Sequence, residues 1–154
     1  MLTDPESFSW PRSGSQLEVW IVTCKHHDTF RQAPLDNIVA SISELFDLGI
    51  APDQLNGEYS ESILALRENL KLSYRRLSPR MNSFNINFSY ASIGDSTIVG
   101  DSITARAEQI KNTTKDYFGS CQVTFTFHGC TELVELHRKM PNFSLELPHT
   151  EVLS

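Results

Sequence analysis

Two adjacent histidines followed by an aspartate, His26-His27-Asp28, are the residues of this chain whose types come nearest to a metal site. Imidazole nitrogens and carboxylates bind zinc, but a structural centre needs four ligands that converge. Neighbouring side chains on an extended segment point to opposite faces, and no third ligand is spaced to join these, so they read as loop residues and no metal is expected. His128, His137 and His149 stand singly, on a turn, a strand end and a tail, with no neighbour to poise them as bases. The three cysteines, Cys24, Cys121 and Cys130, are an odd number without a C-x-x-C pair, which fits reduced thiols. There is no G-x-S-x-G, no H-E-x-x-H and no glycine-rich phosphate loop. Neither catalysis nor a cofactor is therefore expected.

The remaining chemistry is electrostatic. Of thirteen Lys and Arg residues, Arg67, Lys71, Arg75, Arg76 and Arg80 fall close together beside a single acid, Glu68, in a chain of net charge −6. At 100° per residue, Arg67, Lys71 and Arg75 form a stripe next to an apolar arc of Ile63, Leu66, Leu70, Tyr74 and Leu77. One face of this helix packs, and the next offers cations to an anionic surface, a membrane or a nucleocapsid. The stripe is short and the chain acidic, so sequence-specific nucleic-acid recognition is not expected.

The elements that hold these residues follow from periodicity. Residues 1–16 mix Pro5, Pro11, Gly14 and serines with Phe8 and Trp10 and read as a flexible arm whose aromatics could dock in a neighbouring copy. Residues 17–139 read as one domain, and 140–154, with Pro141 and Pro148, as a surface tail. Leu17–Cys24 is a strand with apolar residues on both faces, which places it centrally in its sheet. Pro34 opens a helix through Leu35, Ile38, Val39, Ile42, Leu45 and Phe46, which Gly49 and Pro52 end. The basic helix follows and stops at Pro79.

Phe84, Ile86, Phe88 and Tyr90 alternate with polar residues as a half-buried strand. Ser96–Ile110, in which Ile103, Ala105 and Ala107 alternate with Thr104, Arg106 and Glu108, reads as another, interrupted at Gly100-Asp101. Residues 112–115 read as a loop, and Cys121, Val123, Phe125 and Phe127 as the clearest strand. His128-Gly129 then turns into a shorter strand over Thr131–Leu136. This order predicts an α+β domain, an antiparallel sheet with two helices packed on one face. With no apolar run of membrane-spanning length and no signal-like N-terminus, any membrane contact is expected to be peripheral.

The order of elements resembles that of rhabdovirus matrix proteins. The likeness rests on Leu17–Cys24, the step Thr29-Phe30-Arg31 into the first helix, the Tyr59–Leu77 block, and Tyr117-Phe118-Gly119 leading into the alternating strand through Phe127. It implies a non-enzymatic virion structural protein that self-associates, condenses the nucleocapsid and bridges it to the inner membrane surface during assembly and budding. Its places would be the virion beneath the envelope, the host cytoplasm and the inner face of host membranes. Members of that family commonly open with a lysine-rich arm, whereas Met1–Gln16 has one arginine, so the electrostatic role falls by inference to the stripe from Arg67 to Arg80. In a second resemblance, Val99–Glu108 looks like the strand entry of hotdog-fold thioesterases and dehydratases. Their central helix would then be Pro34–Leu48, with Asp36 as the nearest candidate carboxylate.

Overall fold

A computed structural model describes residues 15–139. Strand β1 (Ser15–Lys25) leads to helix α1 (Ala33–Leu45), a short 3-10 turn at Pro52–Gln54 and helix α2 (Glu61–Leu77). A second 3-10 turn, Ser78–Arg80, enters β2 (Met81–Ser92), followed by α3 (Asp101–Tyr117), β3 (Gln122–His128) and α4 (Cys130–Lys139). The three strands form one sheet in the order β1-β2-β3, and both pairings are parallel. This is an α/β arrangement, and it corrects the expected antiparallel α+β sheet.

Two segments account for the difference. Residues 96–110 alternate with period two only over Ile103–Glu108, whereas the buried set Ile103, Ala107, Ile110 and Thr114 recurs at four, three and four residues and runs through the expected loop. The longer period wins, and the segment becomes α3. Thr131–Leu136, also expected as a strand, lies within α4. With helices between every pair of strands, each strand is reached by a crossover rather than a hairpin, and parallel pairing results.

Local signals set the helix ends. Pro34 occupies the first turn of α1 with Asp36 beside it, where a fixed φ and a negative charge both suit a helix start. At α2, the Ser60 hydroxyl accepts the Ile63 amide hydrogen at 3.3 Å, a side-chain cap worth about 1 kcal/mol.

One face of the sheet is core. Leu17, Val19 and Ile21 of β1, Phe84, Ile86, Phe88 and Tyr90 of β2, and Val123, Phe125 and Phe127 of β3 share it with Leu35 and Ile42 of α1, Leu70 and Leu77 of α2, and Ile103 and Ile110 of α3. Aromatic edges lock its two ends: Phe30 stands T-shaped on Tyr90 and Phe127, and Phe118 on Phe46, Tyr74 and Phe84. Such pairs add about 0.5–1.5 kcal/mol each beyond their buried area. Helix α4 contacts β3 but buries none of its residues.

Among the described residues, none of the core helices α1, α2 and α3 covers the other face. Right-handed crossovers joining strands in simple chain order all fall on the same side, and here α1, α2 and α3 share a single core. Consequently β1 is an edge strand with Trp20 and Val22 exposed, not the central strand that its doubly apolar sequence suggested.

Candidate association surface

The uncovered face is laid out by strand register. Its rows are Glu18, Asn85 and Gln122; Trp20, Asn87 and Thr124; Val22, Ser89 and Thr126; and Cys24, Ala91 and His128, with Gln16 and Ser83 at the β1–β2 end. Glu18 is the one formal charge among these residues, although 21% of the chain is charged. Trp20 is 55% exposed and Val22 59%. Between them and β3 lies Asn87, only 9% exposed, whose Oδ1 accepts the Thr124 hydroxyl hydrogen at 2.8 Å. Asn87 Nδ2 and Ser83 Oγ are buried and have no hydrogen-bond partner. An unmet buried donor carries a desolvation penalty of about 1–3 kcal/mol, whereas the exposed polar groups of the face, which a docking surface can reach, are those of Gln122, Thr124 and Thr126.

The usual ligand crevice of an open α/β sheet, beyond the carboxyl ends of the strands, is packed with backbone here. A side chain on Gly94 would put its Cβ 2.9 Å from the Asp28 carbonyl oxygen, and one on Gly129 would stand 2.5 Å from that of Gly94. The Cys130 amide donates to the Gly94 carbonyl at 2.9 Å, and the Ser92 hydroxyl to the His27 carbonyl at 2.8 Å. Glu132 accepts from the Ser96 hydroxyl and the Gly129 amide, and the Ser96 bond in particular holds its carboxyl below the ordinary glutamate range. Loops from all three strand ends are thus tied to one another. Among the described residues no group of three His, Cys, Asp or Glu side chains could hold a metal ion.

The structure disperses the basic stripe. Arg67 is 4% exposed; its Nε donates to the Leu45 carbonyl at 3.2 Å, and its Nη2 to those of Asp47 and Ile50 at 2.6 and 2.7 Å. It clamps the end of α1 to the following turn and does not face a membrane or nucleocapsid. Lys71 is half-buried, Arg75 and Arg76 are exposed, and Arg80 ends the Ser78–Arg80 turn. Arg75 borders a groove of about 330 Å³ with Phe46, Leu48, Tyr74 and Tyr117. The apolar arc is real over Leu70, Tyr74 and Leu77, but Ile63 and Leu66, in the first two turns of α2, are exposed. Phe8 and Trp10, expected to mediate self-association, lie outside the described residues.

Asp36, the carboxylate of the hotdog resemblance, is ion-paired to Arg106 Nε of α3 at 2.8 Å on the surface. The segment Val99–Glu108 that carried that resemblance leads into and lies largely within α3, not a strand. Sequence reasoning missed the uncovered face because the alternation of Asn85, Asn87 and Ser89 with apolar residues is also what a solvated face shows. The available signal was Trp20 and Val22 on the same side of β1. The chain matches no protein-family model, no curated protein and no solved structure.

Proposed function

We propose that this protein is a non-catalytic association module that works by docking the uncovered face of its sheet on another protein surface. The observation that carries the reading is an all-parallel sheet with one face that is bare among the described residues, poor in charge and carrying an exposed tryptophan on its edge strand. All-parallel sheets are almost always covered on both faces. Depletion of charge with an aromatic anchor marks the core of protein interfaces. No Lys or Arg stands in these rows to meet phosphates, which favours a protein over a nucleic acid. A layer-forming matrix-like role is one specific form of such docking; the face supports its self-association, and Lys71, Arg75 and Arg76 would supply what membrane attraction α2 offers.

The test is a photo-reactive benzoylphenylalanine placed at Val22 in cells that make the protein, compared with the same probe at exposed Ser62 of α2. Discrete adducts from position 22 and none from 62 are expected. Absence of any adduct at 22 would refute docking through this face.

A further inference from the structure

We infer that the occupant of the bare sheet face is a second copy of this chain, docked face to face about a two-fold axis; this rests on the association reading above. The residue types of the face make it self-complementary. Asn85, Asn87, Ser89, Gln122, Thr124 and Thr126 carry amides and hydroxyls, which both donate and accept hydrogen bonds. A patch of such groups can satisfy itself across a two-fold, where every contact occurs twice with its roles exchanged. A patch of one charge sign would repel its own copy. The exposed members of this set, Gln122, Thr124 and Thr126, are the ones a facing copy can reach directly.

Charge over the whole molecule points the same way. In a chain of net charge −6, the face with Glu18 as its one formal charge is where two copies meet with least repulsion. Size sets the strength. Strands about 4.8 Å apart rising about 3.3 Å per residue give a patch on the order of 400 Å² per copy over Gln16–Cys24 and its partners. Two copies therefore bury on the order of 800 Å² in total, below the roughly 1,000 Å² of a stable specific interface and in the range of a weak, transient one. The dimer is weak and concentration-dependent, a helix–sheet–sheet–helix sandwich with its two sheets about 10 Å apart.

The full-length purified chain is the material for the test. Sedimentation across a concentration series should show a reversible monomer–dimer equilibrium, and Trp20→Glu and Thr126→Lys should each weaken it at least tenfold. Ile63→Glu, on exposed α2, should leave it unchanged. Both face positions are exposed, and an unchanged circular dichroism spectrum and melting temperature establish that the variants fold; should Trp20→Glu fail to fold, Thr126→Lys carries the test. The probe at Val22 in purified protein should give a product of twice the chain mass, joined to strand peptides of the second copy. A chain that stays monomeric at every concentration, a dimer indifferent to both substitutions, or an intrachain adduct to residues 1–14 or 140–154 would each overturn the second-copy assignment. If purified protein is monomeric while the probe in cells gives discrete adducts to another protein, the association reading stands and the second copy falls. No adduct in either setting removes both.

Discussion

Arg67 shows how one side chain can be read correctly as a cation and still be assigned the wrong task. Its guanidinium reaches three carbonyls at once, those of Leu45, Asp47 and Ile50. A planar fork of donors suits such a cluster, whereas a lysine ammonium is a compact point charge. Arg67→Met should therefore lower stability by about 2–4 kcal/mol, because buried carbonyls lose charged donors, and Arg67→Lys should recover only part; urea denaturation measures both. Helical spacing placed Arg67 at the border between the apolar arc and the cationic stripe, and nothing local says to which side a border residue turns. Glu44 was equally silent in the sequence. Its carboxylate accepts the Tyr59 hydroxyl at 2.7 Å and the amides of Asn56 and Gly57 at 2.9 and 3.0 Å, and these bonds, Tyr59 foremost, hold its pKa below the ordinary value. A carboxyl whose folded pKa is depressed contributes stability above its unfolded pKa, and loses it as pH falls through the folded value. Burial first, then Glu44, raises the Tyr59 pKa, so that side of the pair is lost only as pH rises through the raised value. Amide-exchange protection at Asn56 and Gly57 should fall on acidification through the glutamate range, and Glu44→Gln should remove that pH dependence.

Among the elements, those whose periodicity extends over several turns or a full strand were legible, and those with short ambiguous runs were not. Strands β1, β2 and β3 and helices α1 and α2 stand close to where their patterns placed them. Helix α3 did not, because Ile103, Ala105 and Ala107 satisfy a strand over five residues while Ile103, Ala107, Ile110 and Thr114 satisfy a helix over twelve. Once it is misread, the sheet loses its crossover and the direction of β3 follows wrongly. Ile110, with no exposed surface, is the packing centre of this helix, and Ile110→Ala should cost about 2–4 kcal/mol through lost burial and the cavity left behind, read as a shift of the urea midpoint. Helix α2 is the element whose function shrinks. With Arg67 turned inward, Lys71, Arg75 and Arg76 remain accessible on it, and each cation near an anionic bilayer is worth on the order of 1 kcal/mol. Flotation with anionic vesicles should detect weak binding at most, and Lys71→Gln with Arg75→Gln should reduce it about thirtyfold, the equivalent of roughly 2 kcal/mol.

For the whole molecule, topology decides where a partner can go. Strands taken in chain order send the crossover helices α1, α2 and α3 to one side, so among the described residues one face is buried and the other bare, and the polar half of β2 becomes the middle of a surface. Two modes of self-association then differ in their response to salt. Contact between the cations of α2 and the acidic remainder of a second copy draws on opposite charges, and it weakens as the Debye length falls from about 30 Å at 0.01 M to about 8 Å at 0.15 M. Contact through the sheet face joins nearly neutral patches on two bodies that each carry −6, so salt screens a repulsion and leaves the hydrogen bonds and the buried indole in place. Sedimentation at those two ionic strengths should show the dimer fraction constant or rising with salt. A dimer that dissociates as salt is added would move the contact from β1–β3 to α2, and Trp20→Glu would then leave it intact.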